Sequence, residues 1–187
     1  MKSPISKIVL VLALCLGVFA IQSCTKIATL VSFNLSMQTE SVNITIPAMS
    51  DTSGVFSVGP ISTSYNVDSF VRAQTGNQFG AANITSVKLS SVTLTLSNAT
   101  NTNNFRNFES VYTAFYSNTN TTPYVLSYND TSTDFSSSIS MPVDTSAELK
   151  TYLGNQFTYD VTGKLRQATT MPLDCTITFT FGVKVQG

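Results

Sequence analysis

From Cys175 to Val185 the chain alternates without a break: Cys175, Ile177, Phe179, Phe181, Val183 and Val185 share one parity, while Thr176, Thr178, Thr180 and Lys184 share the other. Successive side chains of a strand point to opposite faces, so a period of two held this long specifies a strand with one buried and one wetted side. Such a strand belongs inside a sheet, where its amides and its apolar face both find partners.

The same alternation returns in Val31, Phe33, Leu35 and Met37, and in Val42, Ile44 and Ile46 up to Pro47. Between Ile84 and Leu96 it changes phase, because Val87 and Leu89 lie on one parity and Val92, Leu94 and Leu96 on the other. A one-residue slip turns a whole apolar set toward water, which predicts a β-bulge or a strand break at Ser90-Ser91. Val111 to Phe115, Tyr124 to Tyr128, Phe135 to Met141 and Phe157 to Val161 are further strand candidates, separated by clusters of Asn, Ser, Gly and Thr. This spacing predicts one all-β domain over residues 31–187, an antiparallel β-sandwich that is immunoglobulin-like or related.

One or two short helices are expected within it. Thr145-Ser146-Ala147-Glu148 matches a capping box, Leu149, Tyr152 and Leu153 form an apolar stripe, and Gly154 can close the helix in the left-handed conformation. Asp68 to Gln74, stopped near Gly76, is a weaker copy. The two segments share an echo: Val67-Asp68-Ser69 leads to Gly76-Asn77-Gln78-Phe79, as Val143-Asp144-Thr145 leads to Gly154-Asn155-Gln156-Phe157. Duplication and shared capping chemistry both account for it.

The front of the chain is different in kind. Met1 to Lys7 carries two lysines and no acid, and Ile8 to Ile21 is a 14-residue apolar run. That is the length of a secretory signal core and short of the roughly 20 residues that cross a bilayer. Ile21-Gln22-Ser23-Cys24 then sets a small serine directly before a cysteine. These residues resemble the lipobox of bacterial lipoproteins processed by signal peptidase II. The resemblance covers only this N-terminal stretch. It implies a signal peptide over residues 1–23, a diacylglyceryl thioether on Cys24, acylation of the new amino terminus, and a tether over residues 24–30. Three acyl chains, at about 0.8 kcal/mol per buried methylene, would anchor the protein permanently. Thr25-Lys26 lacks the aspartate linked to inner-membrane retention in some bacteria, so the resemblance favours the outer membrane. The alternative reading is an ordinary cleaved secretory signal with Cys24 left as a thiol, able to bridge to Cys175.

The chain carries ten basic and ten acidic side chains and no histidine. Without Lys2 and Lys7, eight basic groups face ten acidic ones, and no basic patch is left to hold a nucleic acid. Lack of imidazole removes the commonest general base and the commonest metal ligand, so no cofactor or metal centre is expected. Cys175 reads as a small buried hydrophobe. The carboxylates of Glu40, Glu109, Glu148, Asp51, Asp68, Asp130, Asp134, Asp144, Asp160 and Asp174 show no pairing of the kind a glycosidase uses. Asn129 to Asp134 offers two carboxylates to calcium, but such a site needs several carbonyls besides, and a solvated Ser/Thr/Asp turn is the plainer reading. Asn98 to Asn107 likewise reads as a polar turn.

Tyr112, Tyr116, Tyr124 and Tyr128 are the candidate binding residues, because aromatic rings with polar tips suit recognition surfaces; core and sheet-packing roles are the competing reading. The expectation is therefore a non-catalytic, lipid-anchored protein of the cell envelope, held to the membrane through acyl chains on Cys24 and engaged with an envelope protein partner. The alternative is a surface ligand-binding or adhesive module that meets a glycan or a small apolar ligand through the tyrosines, with a glycoside hydrolase behind both.

Overall fold

The alternating segments pair as strands in the computed structural model, which describes residues 31–39, 41–129 and 132–187. The strands are β1 (Ser32–Gln38), β2 (Val42–Ile46), β3 (Val55–Ser64), β4 (Ile84–Leu96), β5 (Phe108–Ser117), β6 (Tyr124–Asn129), β7 (Ser138–Met141), β8 (Gln156–Leu165) and β9 (Leu173–Gln186), with helix α1 (Val67–Gln74) between β3 and β4. They form two antiparallel sheets. One runs β1-β9-β4-β7, with β2 also on β9, and the other runs β3-β8-β5-β6.

β1 and β2 pair with successive stretches of β9, Ser32 to Gln38 against Gln186 to Thr180 and Val42 to Ile46 against Ile177 to Leu173. They act as one edge strand broken by a single-residue offset. Counted so, the chain passes from sheet to sheet at every connection except the β5–β6 hairpin. That order makes the expected sandwich a double-sheet jelly roll instead of the immunoglobulin arrangement.

Two details of register follow from local chemistry. The β4–β9 pairing shifts between Leu89 and Ser91, at the phase change in the alternation, so Leu89 and Val92 both reach the interior. β3 was not legible as a strand because Gly59-Pro60, joined by a cis peptide, interrupts its pattern. Its place at the sheet edge explains why the ladder tolerates a residue with no amide hydrogen there.

The helices are where expectation and structure part. α1 forms, capped by the Asn66 side chain, which accepts a hydrogen bond from the Ser69 amide at 2.9 Å. Gly76 and Asn77 end it with φ values of 60° and 65°. The segment after Thr145 makes only a 3-10 turn over Lys150–Tyr152, and Gly154 does not take a left-handed φ. The reason lies in Glu148. Its carboxylate accepts bonds from the Val87 amide at 2.8 Å and the Ser86 hydroxyl at 2.6 Å, so it ties the loop to β4 and leaves the capping box unmade. The two echoed segments thus end in different local structures at the same end of the sandwich.

The interior is aromatic at its centre. Phe115 is fully buried, and its ring lies 5.3 to 5.7 Å, centroid to centroid, from those of Tyr124, Tyr152, Phe179 and Phe181. Tyr159 stacks on Phe179 at 4.9 Å. β5 and β8 on one sheet and β9 on the other thereby interlock through side chains from both inner faces. We expect Phe115→Ala to lower unfolding free energy by about 3–5 kcal/mol, read as a shifted denaturation midpoint. A loss below about 1 kcal/mol would show that the cluster is not the centre of the core.

Candidate functional site

The registers sort every connection to one of two ends. One end holds the start of β1, the α1 crossover, and the loops 118–123 and 142–155. The opposite end holds the loops 47–54 and 97–107, the stretch 132–137 and the loop 166–172.

An open groove of about 900 Å³ lies at the α1 end, walled by the β3–α1 corner on one side and the β7–β8 loop on the other. The Tyr65 amide donates to the Asn155 carbonyl at 3.0 Å, and the Asn118 amide side chain donates to Asn155 Oδ1 at 2.9 Å. Tyr65, Asn66, Asp68, Lys150 and Leu153 complete the walls. Asp68 is the one carboxylate there, and both its oxygens are occupied, by Arg72 Nε at 2.6 Å and by the Ala81 amide at 2.8 Å. Those two bonds, the Ala81 amide first, hold its pKa below the usual carboxylate range. Asp68 on one wall and Lys150 on the other are the charged groups that line it.

At the opposite end the polar turn predicted over Asn98 to Asn107 is exposed at Thr100, Asn101 and Thr102 and directs three asparagines inward as a buried network. Asn103, Asn104 and Asn107 are each buried within 3% exposure. Asn103 Oδ1 accepts from the Thr170 amide at 2.7 Å, Asn104 donates to the Thr100 carbonyl at 2.8 Å, and Asn107 donates to the carbonyls of Thr102 and Ala168. Asn104 Oδ1 also accepts from the Arg106 and Ser136 amides, and Thr169 bonds Met49 through both its amide and its hydroxyl. Stretches from all four loops are thus drawn into one hydrogen-bonded cap. The asparagine spacing alone could have suggested side chains that replace backbone partners.

The four tyrosines do not share a face. Tyr112 and Tyr116 point out from β5 beside Ala114 and the 60% exposed Val125, whereas Tyr124 and Tyr128 on β6 pack against the core. Burial, then the nearby Asp144 carboxylate, raises the Tyr124 hydroxyl above its usual pKa. Cys175 is buried and its thiol is pushed up to about 12, first by desolvation, which makes it inert at neutral pH. Cys24 and Asp130 lie outside the described residues, as does Glu40. Asp134 is exposed on its loop, and among the described residues no three acids or thiols cluster to hold a metal ion.

No family model matches the chain, and no curated protein does. Among solved structures it is similar to the infectious bursal disease virus VP2 subviral particle at 8% identity and a TM-score of 0.42, covering 85% of this chain and 34% of that one. It is also similar to FLHE, at 10% identity, a TM-score of 0.33 and coverage of 82% and 98%, and to the Bacillus endospore appendage pili, at 12%, 0.30, 85% and 93%. The chain spans about a third of the viral protein's length, and likenesses of this size carry no functional reading.

Two outcomes test this geometry. Asn104→Ala leaves buried amides and carbonyls without partners, with an expected loss of roughly 1–3 kcal/mol and faster amide exchange in residues 97–107; unchanged exchange there would mean that the cap is held by other contacts. For Glu148, burial pulls its pKa up, but the Ser86 hydroxyl and the Val87 and Lys150 amides outweigh it and hold the carboxyl below its ordinary range. A depressed carboxyl adds stability that is present above its unfolded pKa, about 4.3, and is lost as pH falls through the lower folded value. Glu148→Gln should therefore flatten the acid limb of the stability–pH curve below about pH 4.5, and an unaltered limb would remove that role.

Proposed function

We propose that this chain is a lipid-anchored, non-catalytic component of the cell envelope, tethered through Cys24 and engaged with a protein partner. The observation that carries the reading is the order of segments at its front: a basic head, an apolar run, Ile21-Gln22-Ser23-Cys24, and a strand that begins at Ser32, eight residues on. Eight extended residues reach at most about 29 Å, while the 14 residues of β9 span roughly 46 Å. An acyl anchor on Cys24 would thus keep the α1 end beside the bilayer and turn the asparagine-tied end outward.

A cap already ordered in the free protein loses little entropy on docking, which suits recognition of a partner chain. Phe135, half exposed on a loop of that end, adds an apolar contact point. The outer membrane is the favoured location on the strength of Thr25-Lys26. A second reading, glycan or apolar-ligand binding, draws on the outward pair Tyr112 and Tyr116 with Ala114 and Val125 between them and at their side.

Intact-mass analysis of the native product tests the anchor. The expected species begins at Cys24 and carries fatty acyl mass that Cys24→Ser abolishes; a mature chain that starts elsewhere, or bears no acyl group, overturns the proposal. Recovery of the protein always alone from detergent-solubilised envelope would count against the interaction role. Glycan binding lost on Tyr112→Ala with the fold intact would favour the second reading.

A further inference from the structure

The outer face of the β1-β9-β4-β7 sheet is mostly Ser, Thr and Asn, with Asp174 near one end of β9 and two lysines near the other. Lys184 pairs across the sheet with Asn34 on β1 and Ser86 on β4, and Gly182 pairs with Ser36 and Lys88. The two ammonium-bearing side chains therefore flank Gly182 on the central strands. An open depression of about 520 Å³ lies there, lined among others by Asn34, Ser86, Lys88, Ser90, Thr145 and Lys184. Thr145, from the β7–β8 loop, forms one wall.

A side chain at Gly182 would require only a small shift of Ser90. Gly182 has no positive φ, and a Cβ added to it would meet only the rotatable Ser90 hydroxyl at 3.3 Å and the Lys88 carbonyl at 4.0 Å. A glycine inside a strand costs backbone entropy and marks a bulge or a close approach, and the β4–β9 register shifts beside this one, between Leu89 and Ser91. Here it opens a notch in the sheet face between two positive charges.

The nearby acids are otherwise engaged. Glu148 is bonded to the Ser86 hydroxyl and to the Val87 and Lys150 amides, and Asp144 to the amide and hydroxyl of Ser146. Among the described residues the ion pairs are Arg72 with Asp68 and Lys164 with Glu109, so neither Lys88 nor Lys184 has a carboxylate within 4 Å. Asp144 and Glu148 act on Lys88 only at longer range.

We propose that the depression over Gly182 binds a phosphate oxyanion between Lys88 and Lys184, with Asn34 and Ser90 as neutral donors. Lysine serves phosphate as a mobile point charge, and hydroxyl and amide donors fix the oxygens around it. The oxyanion is either free phosphate or the headgroup of an anionic lipid. The site does not depend on the lipid at Cys24.

The test uses the full mature protein in neutral detergent and chloride buffer, titrated with inorganic phosphate and, separately, with short-chain phosphatidylglycerol, and followed by amide chemical shifts. Saturable shifts around Gly182 are expected, with affinity reduced about tenfold or more by Lys184→Gln, which removes a charge, and by Gly182→Val, which fills the notch and leaves the charge. Lys164→Gln, on β8 of the other sheet, should leave binding unchanged. Saturation by phosphate assigns the free ion, and saturation by the lipid alone assigns the headgroup. No saturation with either, or binding that survives Gly182→Val, overturns the proposal.

Discussion

Everything in this molecule depends on the interlock of two inner sheet faces around Phe115 and Phe179. β9 supplies every second residue of its length to that interior and bonds β1, β2 and β4 through its backbone. A strand so committed on one side has only its other side left for water, and the threonines on the alternate parity take that place. The wetted outer face is thus a consequence of how the core is built, and Lys88 and Lys184 share it with Asp174 and with uncharged polar side chains.

The two ends of the sandwich solve the same problem in different ways. Connections that cross from sheet to sheet leave backbone amides and carbonyls without ladder partners, and each needs one if it is to be buried. At the opposite end Asn103, Asn104 and Asn107 supply them and weld the loops into a cap. At the α1 end the walls stand apart, bridged by Tyr65 and Asn155, and leave a groove. On the proposed anchoring, the closed end faces outward and the open end faces the bilayer.

Most strands were legible because alternation reports directly which face a residue occupies. β3 was missed because Gly59-Pro60 breaks its pattern while the sheet edge forgives the break. The helix expected after Thr145 failed for a reason that sequence spacing does not carry: Glu148 finds better partners on β4 than at its own helix start. The four tyrosines were grouped on their chemistry alone, and the pairing of β6 with β5 sets Tyr112 and Tyr116 outward and Tyr124 and Tyr128 against the core.

The alternation of apolar and polar side chains, by itself, determined that this chain makes antiparallel sheets with a buried and a wetted side, and the phase change at Ser90-Ser91 determined where one strand must bulge. Both are local, since they follow from the geometry of consecutive residues. Which strand lies beside which, and therefore the jelly-roll order, the buried asparagine cap and the meeting of Lys88 with Lys184 over Gly182, was decided only by tertiary structure. Those contacts join residues distant in the chain, and their energies depend on neighbours that no short stretch of sequence contains.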